Sequence, residues 1–228
     1  MASSVIFEER VEIPYFRSLA EFRAWALSDA FPERGRIDYI GGRIEVDMSP
    51  ENLFFHGTVK TEVVGALANI IRSAGGGYLF SDRTRVSSLD ADLSAEPDVV
   101  YLSAETIDSG RVRLVPSAGG EPDSYVELEG APDLVVEIVS DSSVAKDTKR
   151  LPISYWRAGI AEYWLVDARR ERLLFRIHAR GADGYESAPA DGEGFQHSAV
   201  FDRRFRLERG RDARGRWVFD LQSPPCER

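Results

Sequence analysis

Two strand-like runs each carry one acidic residue. "AEPDVVYLS" sets Asp98 at the head of a short apolar run, directly after Pro97. "DLVVEIVS" sets Glu137 in the middle of the most apolar stretch of the chain. A carboxylate buried without a partner is costly, so Glu137 calls for a compensating charge. Adjacent strands lie ~4.8 Å apart, so acids at facing positions can share one divalent cation. Mg²⁺ takes oxygen ligands and keeps several waters, so two carboxylates and a backbone carbonyl suffice. The competing reading of Glu137 is an ion pair with Lys146, Lys149 or Arg83; that of Asp98 is a turn cap after Pro97.

Other polar residues are candidates of a second order. Asp133 also follows a proline and shares the face of Glu137, but four residues along a strand is ~13 Å, too far to share a metal, so it reads as a strand-start residue. His56 falls on the apolar stripe of a helix, either at the edge of a site or as a hydrogen-bonded core histidine. Ser140 ends its strand and reads as a loop cap. Asp147 reads as a helix cap or as an orienting partner for a lysine. Tyr155, Tyr163 and Trp164 read as core or rim, with base stacking as the minority reading. The only cysteine is Cys226 near the C-terminus, so no Cys-His pair is legible, and neither is a Ser-His-Asp set.

The elements that must position these residues follow from periodicity. Ser18 and Glu21 have capping-box spacing ahead of a helix in "SLAEFRAWALSDAF". "RIDYIGGRIEVDM" is a hairpin around Gly41-Gly42. "NLFFHGTVKTEVVGALANIIRSAGGG" is a longer helix with Val59, Val63, Leu67 and Ile70 on one side, ended by Gly75–Gly77. "YLFSDRTRVSS" reads as one strand, and Ser103–Gly130 as irregular, part of it a surface excursion around Pro116, Gly119-Gly120 and Pro122. After "DLVVEIVS" a helix starts between Asp147 and Leu151, with Pro152 in its first turn and Gly159 past its end. "EYWLVD" completes a parallel, right-handed β–α–β unit. Short alternating segments after Asp167 read as hairpins added to one side of the core. The expected order is helix, strand, strand, strand, helix, strand, an α/β (α+β) arrangement around a mixed central sheet.

The chain has 228 residues, 43% hydrophobic and 29% charged, with a net charge of −9. That suits one domain and excludes broad attraction to polyanions. The C-terminal arginines 203, 204, 206, 209, 211, 214 and 216 form the densest basic stretch, but Asp202, Glu208 and Asp212 interleave with them. A single cysteine favours a reducing compartment. The N-terminus lacks the pattern of a secretory signal, and no apolar run approaches a membrane span of ~20 residues. The expected location is cytoplasmic.

"EPDVV", "APDLVVEIVSDSS", the following "KD" and "YWRAGIAEYWLVD" together resemble the Uma-type family within the PD-(D/E)XK nuclease superfamily. The resemblance covers roughly residues 52–167, flanked by an N-terminal helix and hairpin (14–51) and a C-terminal β extension (168–228). It implies a restriction-endonuclease-like core and Mg²⁺- or Mn²⁺-dependent hydrolysis of DNA. Asp98 and Glu137 would be the metal ligands, with the Ile138 carbonyl as a further one. The metal would lower the pKa of a bound water and take up charge on the phosphate. A lysine is implied at position 139 or 151, where this chain has Val139 and Leu151; Lys146 and Lys149 are the available substitutes, with Lys146 nearer the strand end. The resemblance also places a histidine where His56 stands, and Glu62 matches an extra helical acid, although a solvated helix face is the plainer reading. Cleavage of both strands would favour a homodimer. Two rival readings stay open: a binding protein on the same fold without the chemistry, and a phosphate or nucleotide hydrolase.

Overall fold

The computed structural model describes residues 12–32, 35–74 and 76–224. The N-terminal segment read for a signal, Gly75 of the glycine run and Cys226 lie outside them. Helix α1 (Leu19–Ala26) leads into the hairpin β1 (Arg36–Ile40) and β2 (Arg43–Asp47). A π-helical turn at Leu53–Thr58 opens α2 (Val59–Ala74). There follow β3 (Tyr78–Ser81), β4 (Arg85–Ser88), β5 (Leu93–Ala95), β6 (Val99–Leu102), α3 (Ala104–Asp108), β7 (Val112–Pro116), β8 (Tyr125–Gly130) and β9 (Leu134–Ile138). A second π-helical turn, Lys146–Arg150, enters α4 (Leu151–Ala158). The chain ends in β10 (Glu162–Asp167), β11 (Leu174–Arg180), β12 (Tyr185–Ser187), β13 (Gln196–Ser198), β14 (Arg203–Arg211) and β15 (Trp217–Gln222).

Two six-stranded sheets form, in the orders β2-β1-β5-β4-β8-β7 and β12-β11-β10-β9-β6-β3, beside a small β13-β14-β15 sheet. In the second sheet β3, β6 and β9 run antiparallel and β9 pairs parallel with β10 across α4. Its central strands are covered on both faces, which accounts for their continuous apolar sequence. One face carries Val99, Val136, Ile138 and Trp164 against α2, β14 and β15. The other carries Val100, Val135 and Tyr163 against the first sheet and α4. Helix α1 packs Leu19, Phe22 and Trp25 on the outer face of β1. Gly41 and Gly42 both have positive φ, as the two-residue turn of the β1–β2 hairpin requires. Gly159 takes the left-handed conformation that ends α4. Among the described residues no helix is long and apolar enough to cross a membrane.

The structure departs from the sequence reading in four places. "YLFSDRTRVSS" breaks at Asp82 and Arg83, both with positive φ, so β3 and β4 enter different sheets. Residues 103–130 are not irregular throughout: they hold α3 and the β7–β8 hairpin, whose β8 pairs with β4 inside the first sheet, and only the tip at 117–124, with Gly119-Gly120 and Pro122, is surface chain. Strands β11 and β12 extend the central sheet rather than sit beside it. On the last turn of α2 Ile71 is the fully buried residue, one i+4 step past Leu67, while Ile70 packs against the same core partly buried. In addition, Glu21 satisfies the N–H of Arg17 (2.8 Å), one residue ahead of the Ser18 cap.

Candidate active site

The gap between the two sheets gathers the polar residues. Pairing of Val99 with Val136, continued by one residue, sets Asp98 opposite Glu137 on the face that looks at the first sheet. From across the gap, β1 presents Arg36 and Asp38, which share one face because side chains alternate along a strand. The π-helical turn before α2 brings His56, and the one before α4 brings Lys146 and Asp147. Above them opens a cleft of ≈ 460 Å³ lined by Arg36, Glu51, His56, Arg83 and Ser142 among others.

Asp98 is fully buried and heavily compensated. Its Oδ2 accepts the Ile138 N–H (2.7 Å), and Arg36 donates to Oδ1 at 2.9 Å. His56 Nε2 and Lys60 Nζ stand 3.4 Å from its oxygens. Burial acts to raise its pKa, but His56, Arg36 and Lys60 together hold it far below the usual carboxylate range. Glu137 is the opposite case. It too is fully buried, but among the described residues its only hydrogen bond comes from the Tyr155 hydroxyl to Oε1 (2.5 Å), and Oε2 meets no donor. Burial, then the neighbouring Asp147, pushes its pKa well up. Asp147 is buried with Oδ1 outside any hydrogen bond, and its pKa rises to about 6 through burial. The pKa of His56 rises to about 9: burial opposes protonation, but Asp98 and Glu51 outweigh it. Lys146 bonds Asp38 Oδ2 at 2.9 Å and stays protonated.

Most residues singled out from sequence converge here. Asp98, Glu137, His56, Lys146, Asp147 and Tyr155 form one cluster. Tyr155 is core, as read, but its hydroxyl serves Glu137. Asp147 is no helix cap; its Oδ2 accepts from Ser143. Lys149 is exposed on the outside of the same turn that buries Lys146. Glu62 is not a solvated residue: its carboxylate accepts the Leu221 N–H (2.9 Å) and ties α2 to β15. Ser140 accepts from the Ser143 N–H (3.2 Å), a loop cap as read. Ile138 meets Asp98 through its N–H. Asp133 anchors α3 through Ser103 and Thr106. No ion pair joins Glu137 to Lys149 or Arg83 among the described residues. Arg36, Asp38, Glu51 and Lys60 were missed; "RID" at strand spacing was the available signal, and it reads as a solvent face until a second sheet covers it.

The sequence profile described as "Putative restriction endonuclease", Uma2, matches residues 19–209. The chain belongs to the Uma2 family. Among solved structures, this Uma2 chain is similar to one titled a "putative nuclease belonging to DUF820" from Anabaena variabilis ATCC 29413. The TM-score is 0.59 at 21% identity, over 81% of this chain and 90% of that one, which is a likeness of fold. The restriction-endonuclease-like α+β core expected from sequence is the fold observed. No curated protein matches the chain.

The C-terminal arginines of this Uma2 chain are largely spent within the protein. Arg204 pairs with Asp191 and Glu193, Arg206 with Gln222 and Glu208, and Arg216 with Asp212. Arg209 and Arg211 lie over Trp217.

Proposed function

We propose that this chain is a divalent-metal-dependent endonuclease that hydrolyses phosphodiester bonds in DNA. The observation that carries the reading is Glu137: a fully buried carboxylate with one oxygen lacking any donor, facing Asp98 across adjacent strands. A buried acid in that state takes up a proton or a cation. The residues fit a hard cation, since Glu137 Oε2 and Asp147 Oδ1, which meet no hydrogen-bond donor among the described residues, are carboxylate oxygens. Glu137 and Asp98 would hold Mg²⁺ or Mn²⁺. Glu51, His56 and Asp98 also offer ligand atoms within 4.8 Å of one another, so Asp98 is common to both groupings. A bound divalent ion supplies an activated water and charge neutralisation at the phosphate.

The chain's own groups have separable roles in this reading. Lys146 stays protonated beside Asp38, so it acts as a fixed positive charge for the phosphate rather than as a base. Arg36, and Arg83 at the cleft mouth, offer further positive charge to a phosphate backbone. With a net charge of −9 the attraction for DNA is confined to this cleft. A symmetric pair of chains would let two such clefts cut both strands.

The cations around Asp98 favour a second reading, a binding protein whose acidic centre is already neutralised. Calorimetric titration of Mn²⁺ into the wild type, Glu137→Gln and Asp98→Asn separates the two, followed by cleavage assays on DNA, RNA and nucleotides. Binding lost in both variants, with metal-stimulated DNA cleavage lost in Glu137→Gln, supports the nuclease. No binding by the folded wild type, with or without a non-cleavable duplex, sinks it.

A further inference from the structure

Lys146 and Leu151 are five residues apart and both buried. On an α-helix, at 3.6 residues per turn, such positions lie ~140° apart and cannot both face inward. Here Lys146–Arg150 is a π-helical turn closed by the Leu151 N–H on the Lys146 carbonyl. A turn spanning five residues returns the chain nearly to the same side. Leu151 therefore points into the apolar layer between the sheets, while Lys146, one turn earlier, points into the polar gap. The Tyr163 hydroxyl takes up the Asp147 carbonyl (2.6 Å) within this turn. Nothing in "KDTKR" forces such geometry, since it holds neither Pro nor Gly. Its visible consequence is that a lysine reaches the acidic cluster.

The far anchor of that lysine is Asp38, on a strand of the other sheet. Asp38 is buried, and both its oxygens are engaged: Oδ1 accepts the Glu96 N–H at 3.0 Å, and Oδ2 accepts Lys146 Nζ at 2.9 Å. Two residues earlier on the same face, Arg36 holds Asp98 at 2.9 Å. One strand of the first sheet thus grips both an acid and the lysine of the second layer, with the strand pleat fixing their separation at ~6.6 Å. The Lys146 ammonium also lies 3.9 Å from Asp147 and within the field of Glu137.

We propose that Asp38 is a positioning residue which, with the π-helical turn at Lys146–Arg150, fixes the Lys146 ammonium in the acidic cluster, 3.9 Å from Asp147, for phosphodiester cleavage. Asp38 itself touches no substrate. It acts by removing the freedom of a four-carbon side chain, so that the positive charge stands ready where negative charge develops. The structural half of this inference is independent of the nuclease reading; the catalytic half rests on it.

Asp38→Asn tests it, since the amide oxygen still accepts the Glu96 N–H while the charge is lost. In pulsed acetic anhydride labelling of the full chain, read by mass spectrometry, Lys146 should react about tenfold faster in Asp38→Asn, the scale of one charge-assisted hydrogen bond. Buried Lys60 and exposed Lys149 should keep their wild-type rates, which shows that the fold holds. In metal-dependent DNA cleavage, Asp38→Asn should lower kcat about tenfold with KM and Mn²⁺ affinity unchanged, and Asp38→Glu should recover part of the loss. Added to Lys146→Met, it should cost nothing more. Unchanged Lys146 labelling, or a full further loss on the Lys146→Met background, overturns the proposal. A wild type that cleaves nothing overturns the catalytic half together with the nuclease reading, while the labelling still decides whether Asp38 holds Lys146.

Discussion

Replacing Glu137 with Gln should stabilise the metal-free protein, although the residue is fully buried and central to the site. Gln keeps the shape and the oxygen that accepts from Tyr155, and it offers an amide to the acidic neighbours where Oε2 now meets no donor. An ionised buried carboxylate left without a partner costs ~1–3 kcal/mol, and more where other acids stand nearby. The sign depends on pH. The pKa of Glu137 is raised in the folded state, so wild-type stability falls as pH rises from the unfolded value of ~4.5 towards the folded one, and Gln escapes that loss. The gain should thus be small at pH 5 and reach ~1–3 kcal/mol in alkaline buffer. For a chain of this size that is a rise in Tm of roughly 2–12 °C. Mn²⁺ should reverse the order: at 100 times its Kd it adds ~2.7 kcal/mol to the wild type and nothing to Glu137→Gln. Differential scanning calorimetry at pH 5 and pH 9, with EDTA and then with Mn²⁺, reads all four states. A Gln variant less stable than wild type at both pH values, or one that Mn²⁺ stabilises equally, would refute the view that Glu137 is an under-compensated ligand.

Three further outcomes follow from the same geometry. His56 has a folded pKa of about 9 against ~6.5 unfolded, so its contribution is complete below pH 6.5 and is lost as pH rises through 9; at most ~3 kcal/mol is at stake, and His56→Gln should flatten urea midpoints across that window. Tyr155→Phe leaves both Glu137 oxygens without donors, so it should destabilise the metal-free protein by ~1–2 kcal/mol in alkaline buffer, and by less where Glu137 is protonated, measured by urea denaturation. Arg23→Ala strips buried Glu127 of its two-point partner (2.8 and 3.0 Å) and should cost ~3 kcal/mol. Arg113→Ala, at an exposed pair with Glu129, should cost under ~1 kcal/mol; equal losses for the two would refute the weight given to burial.

Asp98 and Glu137 stood out because local sequence is enough to make them anomalous, whereas Lys146 was one of two lysines that the family resemblance left open. An acid in the middle of "DLVVEIVS" has no bland surface to occupy, and β9, α4 and β10 follow from periodicity, Pro152 and Gly159. Position 78–88 was read as one strand because the positive-φ pair Asp82-Arg83 carries neither glycine nor proline to mark the break. The β7–β8 hairpin was missed because the glycines and prolines of 103–130 read as loop, although β8 finds its partner residues 42 positions earlier in β4.

Sequence alone determined which residues had to be buried and which buried residues were chemically out of place, since hydrophobic period and residue type are local properties. It did not determine what those residues would meet. That Arg36 stands on Asp98, that Asp38 stands on Lys146, and that Lys146 rather than Lys149 turns inward all depend on a second sheet packed across the gap and on a five-residue turn. Both arise from long-range packing. The same "RID" and "KDTKR" would be solvent-exposed charge on an uncovered strand or a regular helix, and the tertiary structure made them the walls of a site.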